Sequence, residues 1–224
     1  HGFLFAGRDG HFYFEDGTRG IFWGINVAKD SVFEPKERID RAVAAISRAG
    51  FNLVRIHHID GVEGLLPADR AGTPDPIDPE KLDAVDYWIH RLKQAGIYVY
   101  LDLLDFRTFS AEEGVTGAEQ LGRAAKPYAV FDNTLIELQM QYARRLLIDH
   151  VNPYTGLAYA EDPAVAMIEI CDENGLYLSR KRWGSLVEPY AGDLRRQFNE
   201  WLAGRYGSTQ MLAEAWTDAE GNQG

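Results

Sequence analysis

The sequence predicts an α/β fold, a (β/α)8 TIM barrel of which this chain carries about the first four βα units. Three observations predict it. Short apolar runs alternate with amphipathic helical stretches in the order β-α-β-α-β-α-β-α, the pattern of a parallel sheet. No glycine-rich phosphate loop follows any of the runs, and Gly2-Phe3-Leu4-Phe5-Ala6-Gly7 lacks the dinucleotide spacing, which argues against a doubly wound nucleotide fold. The runs end in polar and charged residues, where a barrel assembles its active site. An eight-unit barrel takes roughly 250 residues. This chain has 224, and those after Cys171 are largely taken by two helical stretches. The expectation is one domain over 1–224, the N-terminal part of a catalytic barrel whose C-terminal half comes from the same gene or another chain.

The elements follow in order. Residues 11–23 read as a hairpin, with His11-Phe12-Tyr13-Phe14 and Ile21-Phe22-Trp23 flanking Glu15-Asp16-Gly17-Thr18. Ile21 to Val27 continues as the first barrel strand. A helix runs from about Lys36 to Ala49, with Ile39, Val43 and Ile46 on one face and Gly50 as its stop. Phe51 to Ile56 is the second strand and leads into His57-His58-Ile59-Asp60. After a Gly-, Pro- and Asp-rich loop, Asp78 caps a helix that has Pro79 at its first position and Leu82, Val85, Ile89 and Leu92 as its stripe. Ile97 to Leu104 is the third strand. An excursion from Thr108 to Val130 precedes a helix marked by Leu135, Leu138, Tyr142 and Leu146. Asn152 to Gly156 is a turn. Val165 to Cys171, an unbroken apolar run apart from Glu169, reads as a buried fourth strand. A helical insert over 176–217 follows, with helices at about Tyr190–Arg205 and Ser208–Trp216.

Composition bounds the partners. The chain is 46% hydrophobic and 25% charged, ordinary for a globular domain with a sizeable core. Its formal charge of −11 argues against nucleic acid and anionic membrane, both of which call for basic patches. No apolar run approaches the roughly 20 residues of a membrane span. The single cysteine, Cys171, excludes an internal disulfide. The chain opens at His1-Gly2 without Met, which reads as a processed or trimmed N-terminus with room for a lost export signal.

The chemistry is expected at the strand ends. Glu173 stands beside Asp172, where two adjacent carboxylates close the fourth apolar run. A neighbouring negative charge disfavours ionisation, so Asp172 would keep Glu173 protonated, as a general acid must be. Glycoside hydrolysis uses such an acid opposite a second carboxyl; the plainer alternative is a strand-end carboxylate paired with Arg55. Arg55 and His57 are two apart on a strand and share a face, so both reach the pocket if that face points inward. Arg55 could orient a carboxylate nucleophile or form a structural salt bridge. His57 and His58 with Asp60 invite a metal reading. Adjacent strand residues point to opposite faces, however, so no metal site and no cofactor are expected unless the backbone bends. Asp105 and Arg107 read as a loop ion pair. Trp183, Tyr177 and Tyr190 follow the fourth strand, where they could stack on sugar rings. Trp201 and Trp216 fall at helical spacing with Phe198 and Leu212 and read as core.

These residues resemble a family. Phe22-Trp23-Gly24-Ile25-Asn26, Gly50-Phe51-Asn52-Leu53-Val54-Arg55-Ile56-His57-His58 and Ile168-Glu169-Ile170-Cys171-Asp172-Glu173-Asn174 are similar, in order, to clan A glycoside hydrolases of the cellulase-like branch. Ala95 to Leu103 resembles that clan's third strand. Phe198-Asn199-Glu200-Trp201-Leu202, Arg205-Tyr206-Gly207-Ser208 and Ala215-Trp216 resemble the helical insert of its β-galactosidase-like and agarase-like members. The resemblance implies a retaining β-glycosidase acting on polysaccharides or oligosaccharides, secreted or periplasmic. Glu173 would be its acid/base, Arg55 would brace the nucleophile, and Asp172, His57, His58, Asn26 and Trp183 would meet the sugar. The family's nucleophile is a glutamate on the seventh strand, outside this chain, so the chain alone is expected to be inactive. Asp172 stands where the family has Asn. Asn donates a hydrogen bond to the sugar 2-hydroxyl, whereas an ionised Asp accepts one and would suit a 2-ammonium group. The alternative is a non-catalytic carbohydrate-binding barrel.

Overall fold

A computed structural model describes residues 1–177 and 186–217. The chain forms two compact units, His1–Leu178 and Ser179–Gly224. Among the described residues no helix is long and apolar enough to cross a membrane.

The first unit opens with three short strands, β1 (Leu4–Ala6), β2 (Phe12–Phe14) and β3 (Arg19–Gly20), in an antiparallel sheet of that order. The expected turn is present. Gly17 takes φ 83°, a left-handed value that suits glycine, and Asp16 Oδ1 accepts from Thr18 N–H at 2.9 Å. The return strand is Arg19–Gly20 rather than 21–23, because Phe12 pairs with Gly20 and Tyr13 with Arg19. β1 was not anticipated; it is a three-residue run between glycines, too short to show a period.

The main sheet holds β4 (Gly24–Ala28), β5 (Leu53–His57), β6 (Tyr98–Asp102) and β7 (Val165–Glu169), all parallel and in sequence order. Crossovers carry α1 (Lys36–Arg48), α2 (Pro79–Gln94), the single turn α3 (Ala118–Leu121) and α4 (Asn133–Arg144), which runs on into a π turn over Arg145–Asp149. Asp78 and Asp132 cap α2 and α4 through Oδ1, accepting from Glu80 and Lys81 N–H and from Leu135 N–H.

One core explains the arrangement. Ile39, Val43 and Ile46 of α1 and Val85, Trp88, Ile89 and Leu92 of α2 pack with Val54, Ile56, Val99 and Leu101 of the sheet, all buried. The alternate residues of the same strands, Arg55, His57, Tyr100 and Asp102, therefore face the other side. Phe14 closes the opposite end by stacking on Tyr98 at 4.8 Å.

The fourth strand corrects one expectation. It ends at Glu169 rather than Cys171 and is not buried throughout: Ile168 is 38% and Ile170 78% exposed. β7 is the last strand in the sheet, so one of its long edges has no neighbour among the described residues.

The second unit holds α5 (Tyr190–Tyr206) and α6 (Thr209–Ala215), joined at Gly207 with φ 75° and capped by Ser208 Oγ, which accepts from Met211 N–H at 3.2 Å. Trp201 and Trp216 are not core. They remain 54% and 41% exposed, with Phe198 stacked on Trp201 at 5.9 Å and Trp216 Nε1 donating to Tyr206. Residues three apart on a helix meet side by side whether or not anything covers them.

Candidate active site

The register brings the polar face together. Arg55 pairs with Tyr100 across β5 and β6, and Asp102 with Glu169 across β6 and β7. Arg55 then becomes the centre of a carboxylate network. Its Nη2 lies 2.8 Å from Asp102 Oδ2, 2.6 Å from Glu169 Oε2 and 3.3 Å from Asp172 Oδ1. Its Nε donates to Asp102 Oδ1 at 3.2 Å, giving a two-point contact. Tyr100 donates to the same Glu169 oxygen at 2.7 Å. Burial pushes the Tyr100 hydroxyl up to about 12, and its bond to Glu169 adds to the rise.

His57 Nδ1 donates to Asp102 Oδ2 and lies 3.3 Å from Asp105 Oδ2. Asp105 also accepts from the His58 backbone N–H at 2.9 Å. Burial pushes both the Asp102 and Asp105 carboxyls upward, while Arg55 and His57 pull Asp102 back. Burial, then the charge of His57, lowers the His58 imidazole to about 4, so it is neutral at pH 7.

The backbone shows where the sheet departs from regular structure. Five non-glycine residues among those described have left-handed φ: Lys29, His58, Ala124, Ala125 and Glu173. They fall in the loops after β4, β5, β6 and β7, so every βα loop at the C-terminal end carries at least one. Strain of this kind collects at functional sites. At His58, φ 57° breaks the strand alternation, and the His57 and His58 rings lie 3.5 Å apart. The expectation that they diverge is therefore corrected: the bend places both rings together. One donor atom each from His57, His58, Asp105 and Asp172 lies within 4.8 Å of the others.

The other expected residues are placed as follows. Glu173, φ 50°, is exposed and makes no hydrogen bond or ion pair among the described residues; it is not held by Arg55. Asp172 is half-buried. Besides Arg55, it lies 3.7 Å from Lys126 Nζ, a second cation, and 4.0 Å from Nε2 of the neutral His58. Asn26 is exposed on β4, in register with Arg55, and outside the network. Asn174 is buried, and both its amide atoms lack a hydrogen-bond partner among the described residues. Tyr177 is exposed and Tyr190 buried, while Trp183 lies outside the described residues.

Asp105 and Arg107 do not pair with each other. Arg107 donates to Glu113 at 2.5 Å and to the Leu138 carbonyl, whereas Asp105 turns to the histidines. Among the described residues, Asp60 does not group with the two histidines. It is fully buried and accepts the N–H groups of Asp105, Phe106 and Arg107 at 2.8 to 2.9 Å, which fixes the loop that presents Asp105.

Sequence reasoning missed Glu169, Tyr100 and Lys126. Glu169 had a signal: a lone charge inside an apolar strand, two residues from Met167 and on the same face as Asp102 across the register. Lys126 had none, because it sits in the aperiodic excursion after β6. A pocket of about 310 Å3 opens beside His58 between Lys29, Phe106 and Arg123, with Phe106 ringed by both cations. A larger one, about 540 Å3, lies at the other end of the sheet against Phe14 and Tyr98, away from the strand ends that carry these groups.

Solved structures similar in fold include glycoside hydrolases. A family 5 mannosidase from Rhizomucor miehei superposes with TM-score 0.59 at 15% identity, over 78% of this chain and 50% of its own. An endo-1,4-beta-mannanase from the same organism gives 0.55 at 18%, over 73% and 46%. The mannosidase in complex with mannosyl-fructose gives 0.51 at 17%, over 81% and 52%. The chain thus spans about half the length of the structures it matches. At these identities the likeness establishes the fold, the partial (β/α)8 barrel expected from the sequence. No protein-family model matches the sequence, and a search of curated proteins gives no match.

Proposed function

We propose that this chain is the N-terminal half of a retaining β-glycosidase that hydrolyses O-glycosidic bonds in polysaccharides or oligosaccharides. Glu173 is its general acid/base, and the nucleophile is a carboxylate on the other half of the barrel. The observation that carries the reading is the position of Glu173. It sits in the loop that follows the fourth parallel strand, its side chain open to solvent, next in sequence to a network in which Arg55 holds Asp102, Glu169 and Asp172.

The division of labour follows from that contrast. A general acid must reach the glycosidic oxygen, give up its proton as the bond breaks, and later take one from water. Glu173 is unencumbered for both steps. Glu169, Asp102 and Asp172 are held by Arg55 and serve as scaffold. Arg55 Nη1 has no hydrogen-bond partner among the described residues, which leaves a donor for the incoming nucleophile. His57, His58 and Asp172 present polar atoms to the sugar, with Asn26 at the rim. The mannan-active neighbours make β-mannosides the first substrates to try.

The test is hydrolysis by the complete barrel, read by NMR on the first-formed product of β-linked manno- and gluco-oligosaccharides. The expected product keeps the β configuration, while this chain alone turns over nothing. An α product would contradict the retaining mechanism. Saccharide binding without hydrolysis would favour the non-catalytic barrel.

A further inference from the structure

We propose that His57, His58, Asp105 and Asp172 form a binding site for a borderline divalent metal ion such as Zn2+ or Co2+ at the C-terminal end of the parallel sheet. The four residues come from the ends of three successive strands and offer two imidazole nitrogens and two carboxylate oxygens within 4.8 Å of one another. Ligands bound at about 2.1 Å to one ion lie about 3–4 Å apart. His58 Nε2 and Asp172 Oδ2 are 4.0 Å apart, too far for a hydrogen bond and close enough for one ion to bridge.

Two further observations point to a cation here. The Asp105 carboxylate is buried, with 1% of its side chain exposed, yet its Oδ1 has no hydrogen-bond partner among the described residues. A buried carboxylate oxygen left unpaired is costly, and an ion would satisfy it. Charge is also out of balance. Among the described residues, Asp102, Asp105, Glu169 and Asp172 share only two permanent cations, Arg55 and Lys126. A divalent ion would add positive charge to this group of carboxylates.

The surroundings have the form of a metal site's outer support. His57 Nδ1 lies against both Asp102 and Asp105, a carboxylate–histidine contact of the kind that orients imidazoles at metal sites. Asp60 fixes the Asp105 loop through three backbone bonds. Two nitrogens with two carboxylate oxygens suit Zn2+ or Co2+ better than Mg2+ or Ca2+. Lys126 is the competitor, since its ammonium occupies the approach to Asp172.

The experiment titrates the chelator-stripped full chain with Co2+, read by its visible absorption, and with Zn2+, read by competition with a chromophoric chelator. One equivalent is expected, with a rise in Tm. His57→Ala and His58→Asn should each weaken binding about tenfold or more. Asn tolerates left-handed φ and so preserves the bend at residue 58. Lys126→Met should tighten binding. His1→Ala should change nothing, which separates the site from the chain terminus. Circular dichroism and the metal-free Tm report whether each variant is folded. Absence of saturable uptake, or equal affinity in folded His57→Ala and His58→Asn proteins, would overturn the proposal. Because no arm measures hydrolysis, the result stands apart from the glycosidase reading.

Discussion

Arg55 and Glu169 meet at 2.6 Å, and the nitrogen that makes this contact also reaches Asp102 and Asp172. One guanidinium therefore ties three strands and the loop after the fourth. Removing it leaves the buried Asp102 and the half-buried Glu169 without their permanent counter-charge, and Asp172 with Lys126 alone. Arg55→Met should destabilise the chain by about 3–5 kcal/mol, measured by urea unfolding. Arg55→Lys should recover only part of this, because an ammonium lacks the planar fork that holds Asp102 at two points.

Asp60 should matter through the backbone. Asp60→Ala strands three N–H groups, those of Asp105, Phe106 and Arg107. At about 1–3 kcal/mol for each buried donor left unsatisfied, with water recovering some of it, the expected loss is at least about 2 kcal/mol. Hydrogen exchange should rise first at those three amides. Unchanged protection there would show that the loop does not depend on Asp60.

The acid limb of stability has a definite contributor. Partial burial works against the Asp83 charge, but the Tyr154 hydroxyl and Lys36 hold its carboxyl below the ordinary 3.8. A depressed folded value means the stabilisation is complete above the unfolded pKa and is lost as pH falls through the folded one. Asp83→Asn should therefore narrow its stability deficit relative to wild type as pH drops below 3.8. A deficit independent of pH in that range would remove Asp83 from the account.

Much of this was legible in sequence. α1, α2 and their stops follow from apolar spacing, Asp78, Pro79, Gly50 and Gly96, all local signals. The polar strand ends were legible too, because a parallel sheet must place them together. What was hidden depended on register or on bends. The Arg55–Glu169 pairing requires β5, β6 and β7 to be aligned, which no local pattern encodes. The convergence of His57 and His58 requires left-handed φ at a histidine, which the strand period cannot anticipate. The exposure of Ile168 and Ile170 reflects the edge position of β7, again a property of the sheet and not of the run.

The central claim is that Glu173 donates the proton to the leaving group, and leaving-group dependence tests it most directly. In the complete barrel, Glu173→Gln should cut kcat/KM on unactivated β-glycosides by about 100-fold or more. The same variant should spare activated aryl glycosides, whose leaving groups need little protonation, and azide should restore turnover to Glu173→Ala. An equal loss on both substrate types, with no rescue by azide, would contradict the assignment.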